Sequence, residues 1–127
     1  MMPKPAGILY VTNKADPKVL LLHRCAGDHQ GTWCTPGGHG RHGESPWDTA
    51  ARESQEEIGH EPDWHNVRGV HRIGDYAMHV YPVSDEFDPT LNHEHDAAQW
   101  SDRDHLPNLH PKLQPFLDAY LDSGGVV

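Results

Sequence analysis

Glu53, Glu56 and Glu57 stand three and four residues apart, a spacing that on an α-helix brings carboxylates onto neighbouring parts of one face. Like charges placed so closely repel unless a cation compensates them. Hard divalent cations take oxygen ligands, and Mg2+ in particular uses few carboxylates and fills its shell with water and substrate phosphate. Just upstream, residues 36–43 hold four glycines and a proline, and such a loop lets a phosphate chain and its ions approach the backbone. The chemistry that suits this combination is metal-assisted hydrolysis of a phosphate anhydride. Taken alone, the three glutamates are somewhat better explained as a solvated acidic helix face, so the wider pattern decides.

Gly38 is followed after five residues by Glu44, and after seven more by Arg52-Glu53, then Glu56-Glu57 and Gly59. This resembles the Nudix hydrolase signature at all seven of its fixed positions. At a usage of roughly 6% per residue type, a chance match in a chain of this size is about one in a million or rarer. Gly31-Thr32-Trp33 ahead of Pro36-Gly37-Gly38 is similar to that family's approach to the loop. Glu94-His95, five residues before Trp100, is similar to a segment in which the Glu joins the metal cluster or acts as base. The resemblance thus runs from about Ala6 to Leu121. Two positions depart: Ser54 and His60 stand where the family prefers bulky apolar residues. Ser54 is expected to be a soft spot in the helix's inner face, so that Ser54→Leu would raise the unfolding midpoint by burying apolar area.

The resemblance implies a Nudix-type α/β/α sandwich around a central mixed β-sheet, with residues 1–127 as a single domain. It implies hydrolysis of a diphosphate linkage in a nucleoside di- or triphosphate derivative, with a nucleoside triphosphate pyrophosphohydrolase as the first reading. Dinucleoside polyphosphates, ADP-ribose and nucleotide sugars are the alternatives within the family. A catalytically silent nucleotide-binding module is the third reading, disfavoured because none of the motif carboxylates is missing. Glu53 and Glu57 are then the main ligands of Mg2+ or Mn2+. Glu56 assists, and a backbone carbonyl of Gly37 or Gly38 adds a further ligand. Arg52 holds Glu53 in place through a charge-assisted hydrogen bond, Glu44 tunes the cluster electrostatically, and the general base is Glu53 or Glu94. Candidate phosphate contacts are Arg24 at a strand end, Arg41 where many relatives carry an acid, and His39 in the glycine loop. Loop histidines His39, His42, His93 and His95 lack the spacing of a familiar zinc motif. Core packing is favoured over base stacking for Tyr76, Tyr81 and Trp33.

The elements that must position these groups can be read from pattern. Ala6–Thr12 and the continuously apolar Val19–Arg24 read as strands, the second buried on both faces. Trp33–Thr35 reads as a short strand and residues 36–43 as an irregular loop. Ser45-Pro46 reads as an N-cap followed by proline at the first helical position, opening a helix to Ile58 that stops at Gly59. Trp47, Ala50, Ala51, Ser54 and Ile58 lie mostly away from the acids. Two extended segments follow, Val67–Ile73 and Tyr76–Val83, with Gly74-Asp75 between them as a turn. Ala97–Ser101 reads as another short strand. Leu113, Phe116, Leu117, Tyr120 and Leu121 recur at helical spacing. Strands, helix, strands, helix is the order of a sheet packed between helices.

Composition narrows the partners. The formal net charge of −9 repels nucleic-acid polymers and anionic lipid, while bound cations can invert the local field for a polyphosphate. Two cysteines, Cys25 and Cys34, are too few for a secreted disulfide framework, and the longest apolar runs are too short to span a membrane. The expectation is a cytoplasmic protein with free thiols, a small-molecule nucleotide substrate, no nucleic-acid or membrane partner, and room for a homodimer.

Overall fold

The structure, a computed structural model, describes residues 4–123. Strands β1 (Ala6–Thr12) and β2 (Val19–Arg24) are buried along almost their whole length. Two short strands follow, β3 (Trp33–Cys34) and β4 (Gly37–Gly38), and then helix α1 (Pro46–Ile58). A single 3-10 turn, Trp64–Asn66, leads into β5 (Gly69–Ile73), β6 (Tyr76–Val83), β7 (His95–Ser101) and helix α2 (Gln114–Asp122). The strands form one sheet whose central path runs β3-β2-β1-β6-β5, with β4 paired to β1 and β7 to β2. β1 and β6 are parallel, with Ala6 opposite Ala77 and Thr12 opposite Val83, and the other pairings are antiparallel. The sheet is therefore mixed, as expected.

Two-residue alternation along the strands sorts the core into two layers. Ala6, Ile8, Tyr10, Leu20 and Leu22 face α1 and pack with Ala50 and Ile58. Leu9, Val11, Val19 and Leu21 face the other way and pack with Leu113, Leu117, Tyr120 and Leu121 around α2. This is the α/β/α sandwich. No helix among the described residues is long and apolar enough to cross a membrane.

α1 begins and ends where its capping residues say it should. Ser45 accepts from the Asp48 amide at 3.1 Å, and the Asp48 side chain accepts from the Ser45 amide at 3.2 Å, closing a capping box with Pro46 in the first turn. Gly59 terminates the helix at φ 70°, where its amide reaches the Gln55 carbonyl. At that left-handed φ a side chain would be strained.

Several boundaries differ from expectation. The glycine segment is partly regular: Gly37 and Gly38 pair with Gly7 and Ala6 of β1. Its lack of side chains is what permits this, because a Cβ on Gly37 would fall 2.0 Å from the Tyr76 hydroxyl and one on Gly7 still closer. β7 starts at His95, two residues early, because it follows β2 through a register shift at Arg24. β5 starts at Gly69, two residues late, because the 3-10 turn occupies the preceding segment.

Ser54 is fully buried, as a core position should be, and it is not an unpartnered polar group. Its hydroxyl bonds the Tyr10 hydroxyl and donates to the His60 carbonyl at 2.9 Å, and the Tyr10 hydroxyl also meets His60 Nδ1 at 3.0 Å. The two departures from the motif, Ser54 and His60, are thus partners in one buried polar network that fastens the C-terminal end of α1 to β1.

Candidate active site

α1 and β4 face each other at the rim of a cavity of about 660 Å³, within the range of small-molecule sites. Arg24, Gly37, Gly38, His39, Arg41, Arg52, Glu53, Glu56 and Glu94 all border it. Elements far apart in sequence therefore deliver most of the expected site residues to one place. Glu44 and Glu57 lie one contact behind the wall, bonded to Arg52 and Gly37 respectively.

Arg52 is the hub of the outer half. Its Nε and Nη2 form a two-pronged bond to the Glu44 carboxylate at 2.8 and 3.1 Å, the geometry that makes guanidinium–carboxylate pairs strong. Nη1 donates to Glu53 Oε1 at 3.0 Å and to Glu56 at 3.2 Å, and Nη2 also donates to the His39 carbonyl at 3.0 Å. The bond to Glu53 matches the expected role of Arg52. Glu44 does more than tune a field, because it fixes the guanidinium that fixes Glu53. It also accepts from the Arg41 amide and the Thr49 hydroxyl. The Arg52 bond, first, and these others hold its carboxyl down at about 2.

Gly38 lies against Glu53: a Cβ there would stand 2.7 Å from the Glu53 carboxyl carbon. Burial raises the Glu53 carboxyl, opposed by Arg52 and reinforced by the negative charges of Glu56 and Glu94.

Glu53 is largely buried and Glu56 half-exposed, and Glu57 is buried deeper than either. It is 2% exposed, and its Oε1 accepts from the Gly37 amide at 2.7 Å. Its other oxygen, Oε2, lies 3.4 Å from His95 Nδ1. Burial pushes its carboxyl up to about 9; the Gly37 hydrogen bond opposes this and the charges of Glu53 and Glu94 add to it. No arginine or lysine is paired with it among the described residues. A buried carboxylate facing two further acids fits a cation better than it fits an empty protein interior. Glu57, Glu94 and His95 each offer a ligand atom within 4.8 Å of the others.

The candidate phosphate contacts are placed unequally. Arg24 borders the cavity, but it holds the Asp28 loop through both its carbonyl and its carboxylate at 2.9 Å. Arg41 is exposed and lies 3.4 Å from Glu56. His39 is exposed at the rim. Of the three aromatic residues considered for base stacking, Tyr76 borders the cavity. Tyr81 is in the core, its hydroxyl accepting from the Asp63 amide and the Asn66 side chain, and Trp33 packs against the α2 layer. Asp28, Cys34, Ile73, Met78, His110 and Lys112 also line the cavity. Spacing carried no signal for them, since they arrive from five separate segments. Cys25 and Cys34 are free thiols.

A family model described as NUDIX domain matches residues 1–122. A protein of Mycobacterium tuberculosis, provisionally named 8-oxo-dGTP diphosphatase 3, is 49% identical over 57 residues, 42% of this chain and 26% of that protein. The chain thus spans about a quarter of the length of that curated relative. Among solved structures, a Nudix hydrolase from M. smegmatis, RenU, superposes with a TM-score of 0.81 at 20% identity, covering 99% of this chain and 89% of that one. An Ap4A hydrolase from C. elegans superposes with a TM-score of 0.57 at 21% identity, covering 96% and 90%.

Proposed function

The chain belongs to the NUDIX domain family, and from that premise we propose that it is a divalent-metal-dependent pyrophosphohydrolase of nucleoside triphosphates. The observation that carries the reading is the convergence of Glu53, Glu56 and Glu94 on one cavity beside Gly37-Gly38, with Glu57 beneath. The partial likeness to the M. tuberculosis protein favours a nucleoside triphosphate as substrate.

Glu53 and Glu57 would hold the ion, assisted by Glu56 and by a carbonyl of Gly37 or Gly38, and Mg2+ or Mn2+ suits such oxygen donors. When bound, the ion lowers the pKa of a water and neutralises charge on the phosphates. Arg52 keeps the Glu53 carboxylate turned toward the cavity, and Glu44 keeps Arg52 in place. Gly38 gives Glu53 room to lie against the backbone. The Glu53 carboxylate is engaged by Arg52, whereas that of Glu94 makes no hydrogen bond among the described residues. Glu94 is therefore the better general base: it takes the proton of the attacking water as the P–O–P bond breaks. Arg24 and Lys112 offer positive charge to the phosphates, and Tyr76, Met78 and Ile73 offer an apolar surface to the base.

A turnover screen with Mg2+ and Mn2+ over nucleoside triphosphates, dinucleoside polyphosphates, ADP-ribose and nucleotide sugars tests this. The expected products are a nucleoside monophosphate and pyrophosphate. Cleavage of the other substrates in place of triphosphates would move the substrate class, and metal-dependent turnover of none would leave a silent binding module. Glu94→Gln should lower kcat at least a hundredfold while changing metal affinity less than tenfold. Equal losses in both would make Glu94 a ligand instead.

A further inference from the structure

Behind the cavity wall, His95 is buried at 3% exposure, and its ring nitrogens face different partners. Nε2 meets the Cys34 thiol at 3.5 Å. Nδ1 points to Glu57 Oε2 at 3.4 Å, yet it makes no hydrogen bond. If Nε2 carries the ring proton, Nδ1 turns a lone pair toward a carboxylate oxygen. If Nδ1 carries it, a buried donor goes unused beside a strong acceptor. With Glu57 ionised, both arrangements are costly in a protein interior, and the conflict is relieved by a proton on Oε2 or by a cation between the two atoms.

A metal ion between the two atoms removes the conflict. Ligand bonds of about 2.0–2.2 Å separate two neighbouring donor atoms by roughly 3–3.5 Å, and the two atoms are 3.4 Å apart. The Cys34 contact is then the outer partner that ligating histidines usually have on their second nitrogen. Glu57 Oε1 is already committed to the Gly37 amide, leaving Oε2 free.

We propose that Glu57 Oε2 and His95 Nδ1 form an inner metal position with a nitrogen ligand, so that this chain selects a transition ion such as Mn2+, Co2+ or Zn2+ over Mg2+ there. This rests on the reading of Glu57 as a metal ligand and adds His95 to it. The glutamates facing the cavity form the oxygen-only outer part of the site, where Mg2+ is at home. Imidazole shifts preference toward the later divalent metals. Glu94, within 4.8 Å of both ligands, adds negative charge beside the ion.

The test uses metal alone, without substrate. Mn2+ bound to the full chain should show a 14N coupling by pulsed electron paramagnetic resonance. Substitution of all histidines with 15N-labelled histidine should convert that signal, and His95→Gln should remove it. By calorimetry, Mn2+ and Co2+ should bind the parent at least tenfold more tightly than Mg2+. His95→Gln should cost tenfold or more for Mn2+ and under threefold for Mg2+. Mn2+ bound with no nitrogen coupling in the parent overturns the proposal without needing any variant to fold. Equal losses for Mn2+ and Mg2+ in His95→Gln overturn the selectivity. In both cases, abolition of Mn2+ binding by Glu57→Gln would leave the hydrolase reading intact. If no divalent ion binds the parent at all, the hydrolase reading falls with it.

Discussion

Glu53 and Glu57 are one helical turn apart on α1, yet their surroundings are opposite. Glu53 is held by a guanidinium that is itself clamped by Glu44. Glu57 is sealed under β4 with one amide, one histidine and, among the described residues, no lysine or arginine paired to it. In the first place the protein supplies its own countercharge, so the geometry stands without an ion. In the second the acid needs either a proton or a cation, and burial holds the proton on until about pH 9. Pre-organisation and ion demand are thus divided between two successive turns of the same helix.

Removing each acid tests that division, and this is where the largest effects are expected. Glu53→Gln and Glu57→Gln should each lower metal-dependent turnover by about a thousandfold or more, as loss of a principal charge-stabilising group does. They should differ in the metal-free protein. Glu57→Gln replaces a protonated carboxyl with a neutral group of the same shape, so its melting temperature should change little. A divalent ion should raise the melting temperature of the parent, through preferential binding to the folded state, and raise that of Glu57→Gln much less. An unchanged ion response in Glu57→Gln would show that the buried acid is not part of the metal site.

Arg52→Ala attacks the Glu53 half. The Arg52 side chain is 18% exposed, and its guanidinium touches Glu44, Glu53, Glu56 and the His39 carbonyl. Its loss leaves partly buried acids facing one another. The expected cost is about 2 kcal/mol of stability and, from a displaced Glu53, about a hundredfold in turnover. Denaturant unfolding and initial rates separate the two. Loss of activity with full stability would mean that Arg52 acts on substrate and not on the carboxylates.

Ser54 shows where the sequence stopped being legible. The acids, the loop-to-helix order, the helix caps and the two-layer core were readable because each depends on local spacing or residue type. The partners of Ser54 are not local: Tyr10 is 44 residues away. A serine in an apolar slot looks like a packing defect until its hydroxyl is seen bonded on two sides. His95 and Cys34 hid in the same way, since their meeting depends on how β7 and β3 both pair with β2. The sense of the earlier expectation is accordingly reversed. Ser54→Leu should cost about 1–3 kcal/mol of stability through overpacking and orphaned polar groups, read as a lower unfolding midpoint. A raised midpoint would return Ser54 to the status of a packing defect.

Acid titration sharpens the comparison at smaller amplitude. The folded carboxyl of Glu44 lies at about 2, against an ordinary 4.5. Between these values the unfolded chain binds more protons than the folded one, so stability rises with pH. The contribution of Glu44 should be complete above about pH 4.5 and vanish as pH falls through about 2. Glu44→Gln should therefore be clearly less stable than the parent at pH 6, and the gap should narrow steadily toward pH 2. A gap of constant size would assign the loss to packing and not to charge.

The smallest effect should come from Arg41→Ala. Arg41 is also near Glu56, but its side chain is 66% exposed and the contact is long at 3.4 Å. Exposed pairs of this kind contribute under about 1 kcal/mol, because solvent screens them and ordering a long side chain costs entropy. Arg52 makes shorter bonds, several at once and partly out of water. If the division between Glu53 and Glu57 depends on the clamped guanidinium, Arg41→Ala should leave the melting temperature and metal affinity nearly unchanged. A rise in KM with constant kcat would then report a contact of Arg41 with the substrate phosphates, since it removes binding that ground and transition states share. A stability loss as large as that of Arg52→Ala would show that the outer acids depend on both arginines, and the single-hub account of Arg52 would fail.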